Sequence, residues 1–61
     1  MSHYVYELAE TKQEAAALFS EGFGYSSRKD AVQAIRDAVK AGADPFYVNK
    51  WKIFRFKEAT P

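Results

Sequence analysis

PFYVNKWKIFRFK, residues 45–57, is the stretch on which the fold turns. Its thirteen residues hold five aromatics (Phe46, Tyr47, Trp51, Phe54, Phe56), four cations (Lys50, Lys52, Arg55, Lys57) and no acid. Aromatic and β-branched side chains favour a pleated, half-buried surface, so the stretch reads as a strand. Its apolar phase changes partway along. Odd positions give Tyr47, Asn49, Trp51, Ile53, Arg55 and Lys57; even positions give Phe46, Val48, Lys50, Lys52, Phe54 and Phe56. A straight strand buries one of these sets and exposes the other. A β-bulge near the phase change would re-aim the side chains. A tight turn at Asn49-Lys50 would make a hairpin instead, with Lys50 a poor second turn residue. One long, bulged strand over 46–57 is the favoured reading.

A strand of this bulk needs partners. YVYELA (4–9) is β-branched and aromatic, with Tyr4, Tyr6 and Leu8 at period two, and predicts a second strand with that apolar face. SSRKDAVQAIRDAVKAGADP (26–45) predicts a helix over 28–41. Ser27 and Asp30 stand three apart as in a capping box, Val32, Ile35 and Val39 recur on one side beside Ala31 and Ala38, and Gly42 and Pro45 end the element. Lys29, Gln33, Arg36, Asp37 and Lys40 occupy the polar side. The small residues of the apolar side allow close approach to a sheet.

Residues 10–25, ETKQEAAALFSEGFGY, admit two readings. Thr11 and Glu14 form a capping box, Ala15, Leu18 and Phe19 follow at helical spacing, and Gly22 or Gly24 can end the helix. Phe19, Phe23 and Tyr25 also share one parity, which suits a strand over 17–25; three consecutive alanines do not. Helix is favoured. The predicted fold is α+β in a single domain, 1–61: a short antiparallel sheet (strands near 4–9 and 46–57) packed by the helix near 28–41, in βααβ or ββαβ order. There is no repeat, linker or low-complexity segment, and only 1–3 and 59–61 look dispensable.

SEGFGYSSRKDAVQAIRDAVKAGA (20–43) is similar to the SEG-Y-SS-helix stretch of the small YegP-like domains of unknown function. In those domains a strand runs through Ser-Ser into the packing helix. The resemblance covers less than half of the chain, implies the strand reading of 17–25, and brings no known chemistry.

At 61 residues, such a domain buries only roughly 60% of its unfolded surface. Stability is then on the order of 3–5 kcal/mol unless a disulfide, metal, subunit or dense core adds to it. Absence of cysteine removes disulfides and thiolate zinc sites. His3 alone cannot build a metal site, and no cofactor is expected. The ten aromatics favour a dense core but exceed what so small an interior holds. No secretory signal opens the chain and no apolar run approaches a membrane span, so a cytoplasmic protein without membrane partners is expected. Net charge is +1, yet residues 1–27 carry four glutamates against Lys12, whereas 28–61 carry eight cations against four acids. The halves differ in sign, which favours a dipolar surface.

Catalysis is not expected. The usual acid-base partners are missing, Ser27 is explained as a helix cap, and the domain has little room for a substrate pocket. GFGY (22–25) lacks the spacing of a phosphate loop, and Gly22 and Gly24 are read as chain-turning residues. Exposed aromatics with cations can form a stacking platform for single-stranded nucleic acid. Here Lys50 and Lys52 have even parity, Arg55 and Lys57 odd, and the sequence pI of about 8.0 is below the usual basic footprint. A surplus of aromatics rimmed by charge marks a protein interface more often.

The expected function is that of a small non-enzymatic protein-binding module. Small chains of this kind, including those of phages and mobile elements, often inhibit or modulate larger host proteins or complexes. The candidate contact residues are Trp51, Arg55, Phe54, Phe56, Lys50, Lys52, Lys57, Tyr4 and Tyr6. The alternatives are nucleic-acid binding through the basic C-terminal strand and a structural homodimer.

Overall fold

The computed structural model describes residues 3–58. The order is β1 (His3–Ala9), α1 (Lys12–Ser20), α2 (Arg28–Lys40), α3 (Pro45–Val48) and β2 (Lys52–Glu58), a mixed α+β arrangement. β1 and β2 pair antiparallel in a two-stranded sheet, from His3 opposite Glu58 to Ala9 opposite Lys52. His3 is thus the first residue of a strand. The suggestion that the outermost residues are dispensable otherwise falls on 1–2 and 59–61, outside the described residues.

The long bulged strand is not formed. Residues 45–48 make a single helical turn, and the register of β2 runs unbroken from Lys52 to Glu58. Asp44 and Pro45 cause this. The Asp44 carboxylate accepts from the Phe46 N–H at 2.9 Å as an N-cap, and proline at the first helical position has its φ preset and no amide to satisfy. The phase change along 46–57 therefore reflects two elements, not a kink in one.

The helical reading of 10–25 holds for α1. Thr11 Oγ1 accepts from the Glu14 N–H at 3.2 Å. At the other end Gly22 has φ +88°, the Phe23 N–H bonds the Leu18 carbonyl at 3.0 Å and the Gly22 N–H bonds the Phe19 carbonyl at 3.1 Å. That pair of bonds is a Schellman cap, open to glycine without strain. Of the strand alternative one bridge survives: Tyr25 pairs with Tyr6 on the outer edge of β1. α2 starts as predicted, with Ser27 Oγ accepting from the Asp30 N–H at 3.1 Å. The Asp30 carboxylate accepts from the Ser26 hydroxyl.

The interior is built from small side chains. Ala9, Ala15, Ala31 and Val48 are its buried apolar residues. α1 packs chiefly on β1, and α2 packs on both β1 and α3. The face of β1 that is sealed carries Glu7 and Ala9, not Tyr4, Tyr6 and Leu8, which are only half-buried or exposed. That reverses the predicted apolar face. Val39, placed with the buried side of α2, is 51% exposed, and Ala31 takes the innermost position.

Candidate interaction surface

The two faces of the sheet are occupied differently. The register puts Val5, Glu7 and Ala9 on one face with Phe56, Phe54 and Lys52, and Tyr4, Tyr6 and Leu8 on the other with Lys57, Arg55 and Ile53. α1 covers the first face, where the Phe19 ring stacks on Phe56 with centroids 5.0 Å apart and planes 9° from parallel. On the second face Arg55 reaches over the Tyr4 ring, its guanidinium carbon 4.5 Å from the centroid. Trp51, just before β2, is half-buried and lines a cleft with Leu8, Leu18, Ala34 and Ala38.

Of the predicted contact residues, Tyr4, Lys50, Lys52, Arg55 and Lys57 are exposed, whereas Tyr6, Trp51, Phe54 and Phe56 are half-buried. Neither the straight strand, with one parity of the C-terminal stretch buried and the other exposed, nor the bulged one describes these residues. Phe54 and Phe56 lie on the α1 side, Ile53 on the other, and each set is partly covered. The surplus aromatic surface lies elsewhere. Phe46 is 62% exposed, Tyr47 57% and Phe23 61%.

Phe46 and Tyr47 form a composed cluster on α3. Their rings meet edge to face at 5.5 Å. Lys50, one helical turn beyond Phe46, holds its Nζ 4.1 Å from the Phe46 centroid and 5.9 Å from that of Tyr47. A cation over an aromatic face is attracted by the ring quadrupole, by about 0.5–1 kcal/mol at an exposed site. The sequence pointed to these rings as strand residues. The Asp44-Pro45 pair was the signal that they instead project from a helical turn.

Glu7 is 2% exposed, and its Oε2 has no hydrogen-bond partner among the described residues. Loss of hydration raises its pKa above the ordinary 4.5. Gly24 lies directly against it. Gly24 has φ +140°, and a Cβ there would collide with Val5 Cγ1 and Glu7 Oε2. The glycine is required both by backbone conformation and by the close approach of the loop to β1. Among the described residues no group of three or more histidine, aspartate or glutamate side chains is placed to hold a metal ion, and no helix is long and apolar enough to cross a membrane.

Compared with known proteins, the chain matches no family model, no curated protein and no solved structure.

Proposed function

We propose that this chain is a small non-enzymatic binding module that docks an acidic surface of a larger protein and thereby modulates it. The observation that supports this reading is the Phe46–Tyr47–Lys50 cluster. Two large rings stand more than half exposed, braced edge to face, with a cation held above them. Leaving that much aromatic surface in water is unfavourable, at roughly 25 cal/mol per Å². Burial against a partner recovers it, and aromatic side chains are enriched at interface centres, with charged groups such as Lys50 at the polar rim. Arg55 over Tyr4 and the exposed Lys52 and Lys57 add positive charge along the same stretch of chain. They would steer an acidic partner.

The test is quantitative capture from cells of the native source, followed by titration of the captured protein. The double variant Phe46→Ser, Tyr47→Ser removes exposed rings and should keep native circular dichroism while weakening binding by about 2 kcal/mol or more, roughly thirtyfold. Lys12→Ala, on the other half of the chain, is the control and should bind as the native protein does. Equal binding by both variants would remove the α3 cluster from the proposal. Affinity for single-stranded nucleic acid falling steeply with salt would favour the nucleic-acid reading instead.

A further inference from the structure

We infer that the outer edge of β2 is a self-association edge, and that two copies of the chain join there antiparallel, about a two-fold axis at Arg55, into a four-stranded sheet. This goes beyond the proposed partner surface, whose centre is the α3 cluster, and gives Lys52, Arg55 and Lys57 of β2 a second contact besides the steering charge they lend to it.

Backbone direction comes first. Tyr6 exchanges both of its main-chain bonds with Tyr25, N–H to carbonyl at 2.9 Å and carbonyl to N–H at 2.8 Å. Tyr6 therefore turns its amide and carbonyl away from β2. In an antiparallel ladder these directions alternate, and residues opposite each other behave alike. Val5, Glu7 and Ala9 thus bond to Phe56, Phe54 and Lys52, and the partners of Leu8, Tyr6 and Tyr4, which are Ile53, Arg55 and Lys57, point their N–H and C=O groups to the far side. Among the described residues nothing on the main chain meets those groups. The outer edge of β1 is closed at Tyr6 by Tyr25; that of β2 is open.

One symmetric register satisfies the whole open edge. Centred on Arg55, it sets Arg55 opposite its counterpart and Ile53 opposite Lys57 of the second copy, so every outward amide and carbonyl of the three residues finds a partner. A shift of two residues either way leaves some of them unpaired. The same register places Lys52 opposite Glu58 of the second copy, and Phe54 opposite its Phe56. These are opposite-charge and aromatic cross-strand pairs, both favourable. Two arginines face each other at the axis, but each guanidinium is drawn back over Tyr4 on β1, away from the edge. The helices leave room. Where α1 and α2 meet the sheet they do so chiefly at β1, and three strand spacings of about 4.8 Å put β1 about 14 Å from its counterpart, beyond the roughly 8–10 Å of packed helices.

Sedimentation velocity from about 10 μM to 1 mM, the range of weak association, is the first measurement. The expected result is a concentration-dependent shift from 6.9 kDa to twice that mass. Lys52→Glu should weaken the dimer at least about threefold at low salt, and Lys52→Glu with Glu58→Lys should restore it. Within one chain Lys52 pairs with Ala9 and Glu58 with His3, so such a rescue can arise only between copies. Arg55→Pro removes an amide that β1 does not use and should leave a folded monomer; if it unfolds, the charge exchange decides. A monomer throughout the range overturns the inference. So does a dimer indifferent to Lys52→Glu or not rescued by the exchange, and so does a monomer that takes up an unrelated extended peptide at this edge.

Discussion

Phe19 of α1 lies flat on Phe56 of β2, ring centroids 5.0 Å apart and planes 9° from parallel. This contact ties the helix that follows β1 to the strand that ends the fold. The buried apolar side chains are small, so this stacked pair of half-buried rings is the aromatic contact that fastens α1 to β2, beside the β1–β2 ladder.

Phe19→Ala and Phe56→Ala should each destabilise by about 2–3 kcal/mol, less than a fully buried phenylalanine because both rings are partly exposed. The double variant should cost about 0.5–1.5 kcal/mol less than the sum of the two, the coupling typical of an aromatic pair. Urea denaturation of the four proteins measures this. Strict additivity would mean that the stack contributes nothing beyond area.

Glu7 should make stability fall as pH rises. Unfolded, its carboxyl titrates near the ordinary 4.5; folded, burial raises the pKa. Between these two values the folded state holds the extra proton, so unfolding becomes easier as pH increases through the interval, and the penalty stays in full above it. Glu7→Gln cannot ionise. It should melt above the native protein at neutral pH, with the difference shrinking in acid. Thermal melts across pH check this, and parallel curves for the two proteins would contradict it.

Gly24→Ala should destabilise by about 1–3 kcal/mol, through a positive φ and a collision with Val5 and Glu7. Glu7→Ala in the same chain should recover part of the loss, because it clears one of the two obstructions. A Gly24→Ala protein as stable as the native one would place the loop farther from β1.

Ser27→Ala removes the hydroxyl that accepts from the Asp30 amide and should cost about 0.5–2 kcal/mol. Ser27→Asp should retain most of the stability, since a carboxylate caps as well and suits the positive end of the helix. Chemical denaturation monitored by circular dichroism reads both. An unchanged midpoint for the alanine variant would mean that α2 starts elsewhere.

Legibility along the chain followed the range of the interactions involved. α1 and α2 were readable because Thr11, Gly22, Ser27 and Gly42 act on backbone groups within one turn. β1 was readable from alternation, and β2 in its second half. α3 was written in Asp44-Pro45 but masked by the aromatics that follow, whose strand preference is stronger than that of most sequences. The candidate surface was readable as a composition, five rings and four cations within thirteen residues, but not as an arrangement.

Sequence by itself determined the α+β class, the caps, and the presence of more aromatic surface than a small interior can take. These follow from contacts a few residues apart and from a count of side chains. Tertiary structure alone decided which face of β1 is sealed. Alternation separates Tyr4, Tyr6 and Leu8 from Val5, Glu7 and Ala9, but a helix can cover either set. Here α1 brings Phe19 onto Phe56, Gly24 closes over Val5 and Glu7, and Oε2 of Glu7 is left buried without a partner among the described residues. Burial of a glutamate is a property of what packs over it, and those groups lie more than ten residues away in the chain.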